Sequence, residues 1–299
     1  MPLRLLLVLL IAISVTAGPV AAAECATTVA GPAAFSYDAR APLQSIAGPV
    51  SQQATSLERE VRFASGGRPV SGLLMRPRTP TGALHGAGIL WVHWLGDPRT
   101  TNRSEFIADA RALAALGATS LLVDASWSQP NWFERGRSPS TDACNVRPEV
   151  VALRRALDML VTQNVDPTRI AYVGHDFGAM YGALLLAVDP RPSRAVLMTP
   201  ALSFWEWFLL GATPVDPGAY VTAMSPFDLP VWLVHSHASA TLLQFAKHDA
   251  YVSQATAGVI GSLVRPRGRT IKSYDSDHSL RVAAATADRR AWLVQQLSK

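Results

Sequence analysis

The stretch Arg169-Ile170-Ala171-Tyr172-Val173-Gly174-His175-Asp176-Phe177-Gly178-Ala179 runs from an apolar segment through a G-x-D-x-G turn into small residues, with Gly182 and Ala183 following. A glycine on each side of the central residue indicates a reversal so tight that a side chain at either place would collide with the neighbouring strand and helix. The spacing predicts a strand over 169–173 and a helix over 179–188. Between them Asp176 is held at a strained backbone angle, its carboxyl raised above the sheet.

Working outward, short apolar runs alternate with helical stretches. Residues 60–65 and 71–75 read as two strands joined at Gly66-Gly67, a hairpin signal. The near-continuous apolar run over 87–94 reads as a strand buried on both faces. A helix over 104–116 follows, with Phe106, Ile107, Leu113 and Leu116 near helical spacing and Gly117 as its stop. Then come strand 120–125, helix 149–160, the stretch quoted above, and strand 194–198. The last third gives strand 241–246, a helix near 252–263, strand 270–274 and a closing helix over 283–297. Residues 231–235 are a second candidate strand. This alternation predicts an α/β fold: a mostly parallel central sheet with an antiparallel N-terminal hairpin and helices on both faces. No linker divides the chain after residue 23, so residues 24–299 are expected to form one domain.

Two long connections break the rhythm, at 126–144 and 199–230, and both leave the carboxyl ends of strands, where open α/β sheets place ligands. The first holds Trp127. The second carries the aromatic cluster Phe204, Trp205, Trp207 and Phe208, which reads as a short cap at about 200–230 over a mostly apolar pocket. Trp127, Trp205 and Tyr181 are the pocket candidates, and packing in a core is the competing account of these aromatics.

The strand, the G-x-D-x-G bend and the small-residue helix resemble the nucleophile elbow of the α/β-hydrolase superfamily. Over essentially the whole mature chain the pattern is similar to its dienelactone-hydrolase-like group. That resemblance implies a nucleophile–acid–His order, met here by Asp176, Asp249 after strand 241–246, and His278 after strand 270–274. Asp249 would hold the imidazole tautomer and His278 would activate water. The resemblance also implies an oxyanion hole built from the backbone N–H groups of Phe177 and Trp94.

The family's commonest nucleophile is Ser, and the aspartate here resembles instead the haloalkane dehalogenases and epoxide hydrolases. A carboxylate attacks an sp³ carbon bearing a halide or strained oxygen and leaves a covalent ester. Toward an acyl ester it would form an anhydride, a poor route. The leaving-group residues of those enzymes are not matched: Phe177 stands where dehalogenases place Trp, and Tyr181, Tyr220 and Tyr251 have no telling spacing. The expected function is hydrolysis of a small or medium apolar substrate of epoxide, halide or ester type. A non-catalytic protein that binds a ligand or partner in the same fold is the alternative.

His175 reads as structural packing inside the bend. His235, His237 and His248 lack a third ligand at metal spacing, so no metal and no cofactor is expected. Asp275 and Asp277 are rival acids beside His278, with loop solvation the plainer account.

The 299 residues carry 27 Lys and Arg against 22 Asp and Glu, a formal charge of +5, but the basic residues are scattered, which argues against nucleic acid as a partner. Residues 1–23 have a basic start at Arg4, an apolar run over 5–15 and Ala21-Ala22-Ala23, the layout of a cleaved secretory signal peptide. The run is short of the ~20 apolar residues that span a bilayer. A secreted or periplasmic protein with no stable membrane span after cleavage is therefore expected. Cys25 and Cys144 are the two cysteines of the chain. An oxidising compartment favours their pairing, and two free thiols are the alternative.

Overall fold

A computed structural model describes residues 31–96 and 103–298; residues 1–23, expected from sequence to be a signal peptide, and Cys25 lie outside the described residues. Among these, ten strands form one mixed sheet: β1 (Ile46–Ala47), β2 (Ser51–Gln52), β3 (Ser56–Ser65), β4 (Arg68–Pro77), β5 (Gly88–Val92), β6 (Thr119–Val123), β7 (Ile170–His175), β8 (Pro192–Met198), β9 (Ala240–Ala246) and β10 (Arg269–Tyr274). Their order is β1-β3-β4-β6-β5-β7-β8-β9-β10, with β2 on the side of β3. The strands from β6 across to β10 are parallel to one another, β4 pairs antiparallel with β6, and β3 and β4 form the antiparallel hairpin. Ser65 pairs with Arg68, so Gly66 and Gly67 alone make the turn, both at positive φ (55° and 81°). That is what a two-residue hairpin with the right-handed strand twist demands.

Helices cover both faces: α1 (Ile107–Ala114), α2 (Pro139–Val161), α3 (Phe177–Val188), α4 (Phe204–Phe208), α5 (Pro217–Met224), α6 (Leu229–Trp232), α7 (Gln254–Leu263) and α8 (Ala283–Leu297). The sheet separates two apolar cores. Leu90, Val92 and Tyr172 enter one and Ile89, Trp91, Ala171 and Val173 the other. Successive side chains of one strand thus go to opposite, equally buried faces, which is why the central strands read as unbroken apolar runs.

Three stretches differ from the sequence expectation. Helix α2 begins at Pro139 rather than 149, so the first long connection is shorter than 126–144. Ser138 caps its start by accepting from the Thr141 amide, and Pro148 is carried inside the helix. A proline there forfeits one ladder hydrogen bond, and tertiary contacts hold the first turns in spite of it. The buried Asp142 carboxylate receives Arg135 (3.0 Å), Arg137 (3.3 Å) and the Tyr220 hydroxyl (2.8 Å).

Residues 231–235 are helical, not a strand. Leu229, Trp232 and Leu233 are buried while Val231 and Val234 face outward, a helical spacing introduced by Pro230 in the first turn. The connection 199–230 is also mostly helical, holding α4 and α5. The Asp142 contact to Tyr220 pins α5 onto α2, and Arg137 lies over the rings of Trp132 and Phe208. The aromatic cap is therefore tied to the body of the fold through the buried Asp142 carboxylate as well as by ring contacts of Phe204 with Tyr181 and of Phe208 with Phe177.

Candidate active site

Strand β7 ends at His175 and α3 starts at Phe177, leaving Asp176 alone to turn the chain, at φ 53° and ψ −115°. Positive φ in a non-glycine residue costs on the order of 1–3 kcal/mol and persists only where its surroundings enforce it. The enforcement here is steric and hydrogen-bonded. A Cβ on Gly178 would run into the Val92 carbonyl, and one on Gly174 into the Gly178 carbonyl. The Asp176 amide donates to the Met198 carbonyl at 2.9 Å, and its own carbonyl accepts from Met180.

The second half of the site comes from the carboxyl ends of β9 and β10. Asp249 accepts from the Tyr251 and Val252 amides through Oδ1 (2.9 Å each), while its Oδ2 lies 2.8 Å from His278 Nδ1. Burial raises the Asp249 carboxyl, but the hydrogen bond and charge of His278 with the two amides outweigh it, leaving the group below its ordinary value. Asp249 is therefore a carboxylate that fixes the imidazole with Nδ1–H toward it. His278 is buried among the rings of Trp207 (5.0 Å between centroids), Tyr251 (5.3 Å), His175 (5.5 Å) and Trp94 (6.1 Å).

Asp176 is 2% exposed. Its Oδ2 accepts from the Leu95 amide at 3.2 Å. Its pKa is raised to about 7: burial is the main cause, opposed by the His278 charge and the amides of Leu95 and Phe177 and assisted by the Glu105 carboxylate. Among the described residues, no hydrogen bond or ion pair joins Asp176 to His278. Three buried polar atoms in this neighbourhood have no hydrogen-bond partner: Asp176 Oδ1, His278 Nε2 and the indole nitrogen of Trp207.

The structure thus gathers Asp176, Asp249 and His278 in one region but couples only the last two directly. The amide placed opposite Asp176 from the turn after β5 is that of Leu95, one residue beyond the expected Trp94, whose own N–H donates to Glu105 at 2.9 Å. The Phe177 amide acts on the same carboxylate.

Trp127 does not face an open pocket. It is buried, stacks on Tyr181 (5.1 Å) and lies 5.5 Å from Phe177, and its indole N–H is shared between the His93 and Trp94 carbonyls at 3.2 Å each. Tyr181 is buried with it, edge-on to Phe204. Trp205 is half-buried and packs against the core, while Phe204, Trp207 and Phe208 are the buried residues of α4, and only Trp207 among them meets His278. The residue facing the site is therefore Trp207, and its i, i+3, i+4 spacing with Phe204 and Phe208 was the available signal. Asp275 pairs with His248 on the surface (2.6 Å), and Asp277 accepts from Ser279, so neither rivals Asp249.

His175 does more than fill space. Its Nδ1 lies 2.6 Å from Glu105 Oε1, its Nε2 lies 3.1 Å from the His278 carbonyl, and its ring stacks on Trp94 at 5.0 Å. Glu105 had no sequence signal at all. Cys144, in α2, is disulfide-bonded.

No protein-family model matches the chain, and no curated protein matches it. Solved structures do. Acetyl xylan esterase from Paenibacillus sp. R4 superposes with a TM-score of 0.66 at 17% identity, over 85% of this chain and 89% of that one. Acetyl xylan esterase 1 from Thermoanaerobacterium sp. JW/SL YS485 gives 0.65 at 17%, over 85% and 88%. A dienelactone hydrolase candidate from Klebsiella pneumoniae subsp. pneumoniae MGH 78578 gives 0.60 at 17%, over 85% and 99%. With the β4-β6-β5-β7 strand order, the bend at Asp176 and these likenesses taken together, the chain has the α/β-hydrolase fold.

Proposed function

We propose that the protein is an exported hydrolase that opens an epoxide or displaces a halide from a small or medium apolar substrate, through a covalent ester on Asp176. The observation that carries this reading is the division of labour between the two carboxylate oxygens. Oδ2 rests on the Leu95 amide while Oδ1 has no partner. In the first step Oδ1 attacks the sp³ carbon, a C–O bond forms, and the bond to halide or epoxide oxygen breaks with its electron pair. The unpartnered indole N–H of Trp207, beside His278, is the hydrogen-bond donor suited to the departing atom, which leaves as halide ion or, from an epoxide, as an oxygen that takes its proton from water. In the second step water attacks the Asp176 carboxyl carbon and gives a proton to His278 Nε2. Negative charge then develops on Oδ2, where the Leu95 amide already donates, with the Phe177 amide also acting on the carboxyl. Collapse breaks the bond between the carboxyl carbon and Oδ1, which leaves as the alcohol oxygen of the product and takes the proton from His278, while the water oxygen stays in the regenerated Asp176.

The reading is supported by the intact His278–Asp249 pair at 2.8 Å and by the hydrolase neighbours in structure. Export is supported by the layout of residues 1–23 and by the disulfide-bonded state of Cys144, since such bonds persist in oxidising compartments. The second reading, a ligand-binding protein without turnover, is favoured by one observation, the near-complete burial of Asp176, which pushes its pKa up to about 7.

Mass spectrometry after rapid quenching with 1,2-epoxyhexane or 1-bromohexane separates the two. An alkyl adduct on the Asp176 peptide that accumulates in His278→Ala supports the hydrolase, and single turnover in H₂¹⁸O should then place label in Asp176. With a wide panel of epoxides and halides, absence of any adduct in both proteins turns the assignment to the binding protein.

A further inference from the structure

Glu105 lies outside the nucleophile, acid and base, yet both of its oxygens are committed to the walls of the site. Oε2 accepts from the Trp94 amide at 2.9 Å, in the turn that presents the Leu95 N–H to Asp176. Oε1 meets His175 Nδ1 at 2.6 Å, and the far nitrogen of the same ring meets the His278 carbonyl at 3.1 Å. The carbonyl and the Glu105 carboxylate oxygen both accept, so in this arrangement both ring N–H groups of His175 donate, Nε2 to the carbonyl and Nδ1 to Glu105. The Trp94 ring lies parallel to the His175 ring, within 1°, which closes the link from a second side. The side chain of Glu105 is 15% exposed and that of His175 fully buried. A charge-assisted contact of that length in such surroundings is strong and directional.

We propose that Glu105 is a positioning residue that holds the Leu95 amide turn and, through His175, the His278 loop in register with each other. The proposal rests on the reading of Asp176 as the nucleophile. Its consequence is selective. Ester formation on Asp176 needs Oδ1 and the departing group. Ester hydrolysis needs His278 to reach the water and the Leu95 amide to receive the charge, so the parts tied to Glu105 act mainly in the second step. Misplacement of reacting groups by about 1 Å costs about 100-fold in rate.

The test follows the Asp176 adduct formed from 1,2-epoxyhexane or 1-bromohexane in the full chain. In Glu105→Gln, which keeps the shape but can accept from only one of the two donors, hydrolysis of the adduct should slow about 100-fold, and its formation by no more than about threefold, so that the adduct accumulates as in His278→Ala. Amide hydrogen exchange of the peptide containing Trp94 and Leu95 should quicken in the same variant. His175→Gln removes the arm to His278 together with the ring that stacks on Trp94, and should likewise slow adduct hydrolysis. If His278→Ala accumulates adduct and Glu105→Gln turns it over at the wild-type rate, the positioning role is wrong and the nucleophile stands. If Glu105→Gln loses formation and hydrolysis equally, the role is general structure and the proposal also fails. If His278→Ala never forms adduct, the failure belongs to the nucleophile; unchanged exchange at Trp94 and Leu95 in Glu105→Gln would overturn the clamp independently.

Discussion

Replacing Asp176 by Asn removes a group that the fold holds at a pKa of about 7, against an ordinary 3.8. Unfolded, this carboxyl ionises near pH 4; folded, it keeps its proton to about pH 7. Between those limits the native state binds the extra proton, so stability from this group is fully present below about pH 4 and is lost as pH rises through about 7. The gap corresponds to ~4 kcal/mol, undiscounted because the residue is only 2% exposed. Asn cannot ionise, and its side-chain oxygen can still accept from the Leu95 amide. Urea unfolding of both proteins at intervals from pH 4 to pH 8 should therefore show near-equal stability at pH 4 and a variant ahead by ~4 kcal/mol at pH 8. The charges facing the carboxyl are His278, which lowers its pKa, and Glu105, which raises it; both remain in the variant, so the difference isolates Asp176. The same ionisation should govern chemistry, with adduct formation by wild type falling about tenfold per pH unit below 7. A stability difference that is flat with pH, or a variant weaker at pH 8, would refute the buried, proton-holding carboxyl.

Three further outcomes are expected. Asp142→Ala leaves the Arg137 side chain, itself 0% exposed, without its carboxylate, and should cost about 3–5 kcal/mol in chemical denaturation, loosening the cap before the sheet. Gly178→Ala meets the Val92 carbonyl and should destabilise by upward of about 4 kcal/mol or fail to fold, whereas Gly136→Ala, with open space around it, should melt like the wild type. Peptide mapping of the protein without reductant should return the Cys144 peptide cross-linked to that of Cys25, the chain's other cysteine; a Cys144 peptide of thiol mass would contradict this.

What the sequence determined was the set of features written in local patterns. Continuous apolar runs marked strands buried on both faces, Gly66-Gly67 marked the hairpin, and Gly174 and Gly178 marked the bend, because each of these requirements is met within a few residues. That Asp176, Asp249 and His278 come near one another was legible for a related reason: all three follow strands, at the carboxyl end of the sheet where side chains converge. The start of α2 was not legible, since Pro148 signals a break locally and the contacts that override it come from Arg135, Arg137 and Tyr220, the last of them 78 residues away. Nor was the choice of Leu95 over Trp94, which turns on Glu105 claiming one amide and leaving the next to Asp176. Glu105 itself is an ordinary surface-type residue in sequence. Only tertiary folding brings it against a histidine 70 positions later, because hydrogen bonding acts through space and leaves no period in the chain.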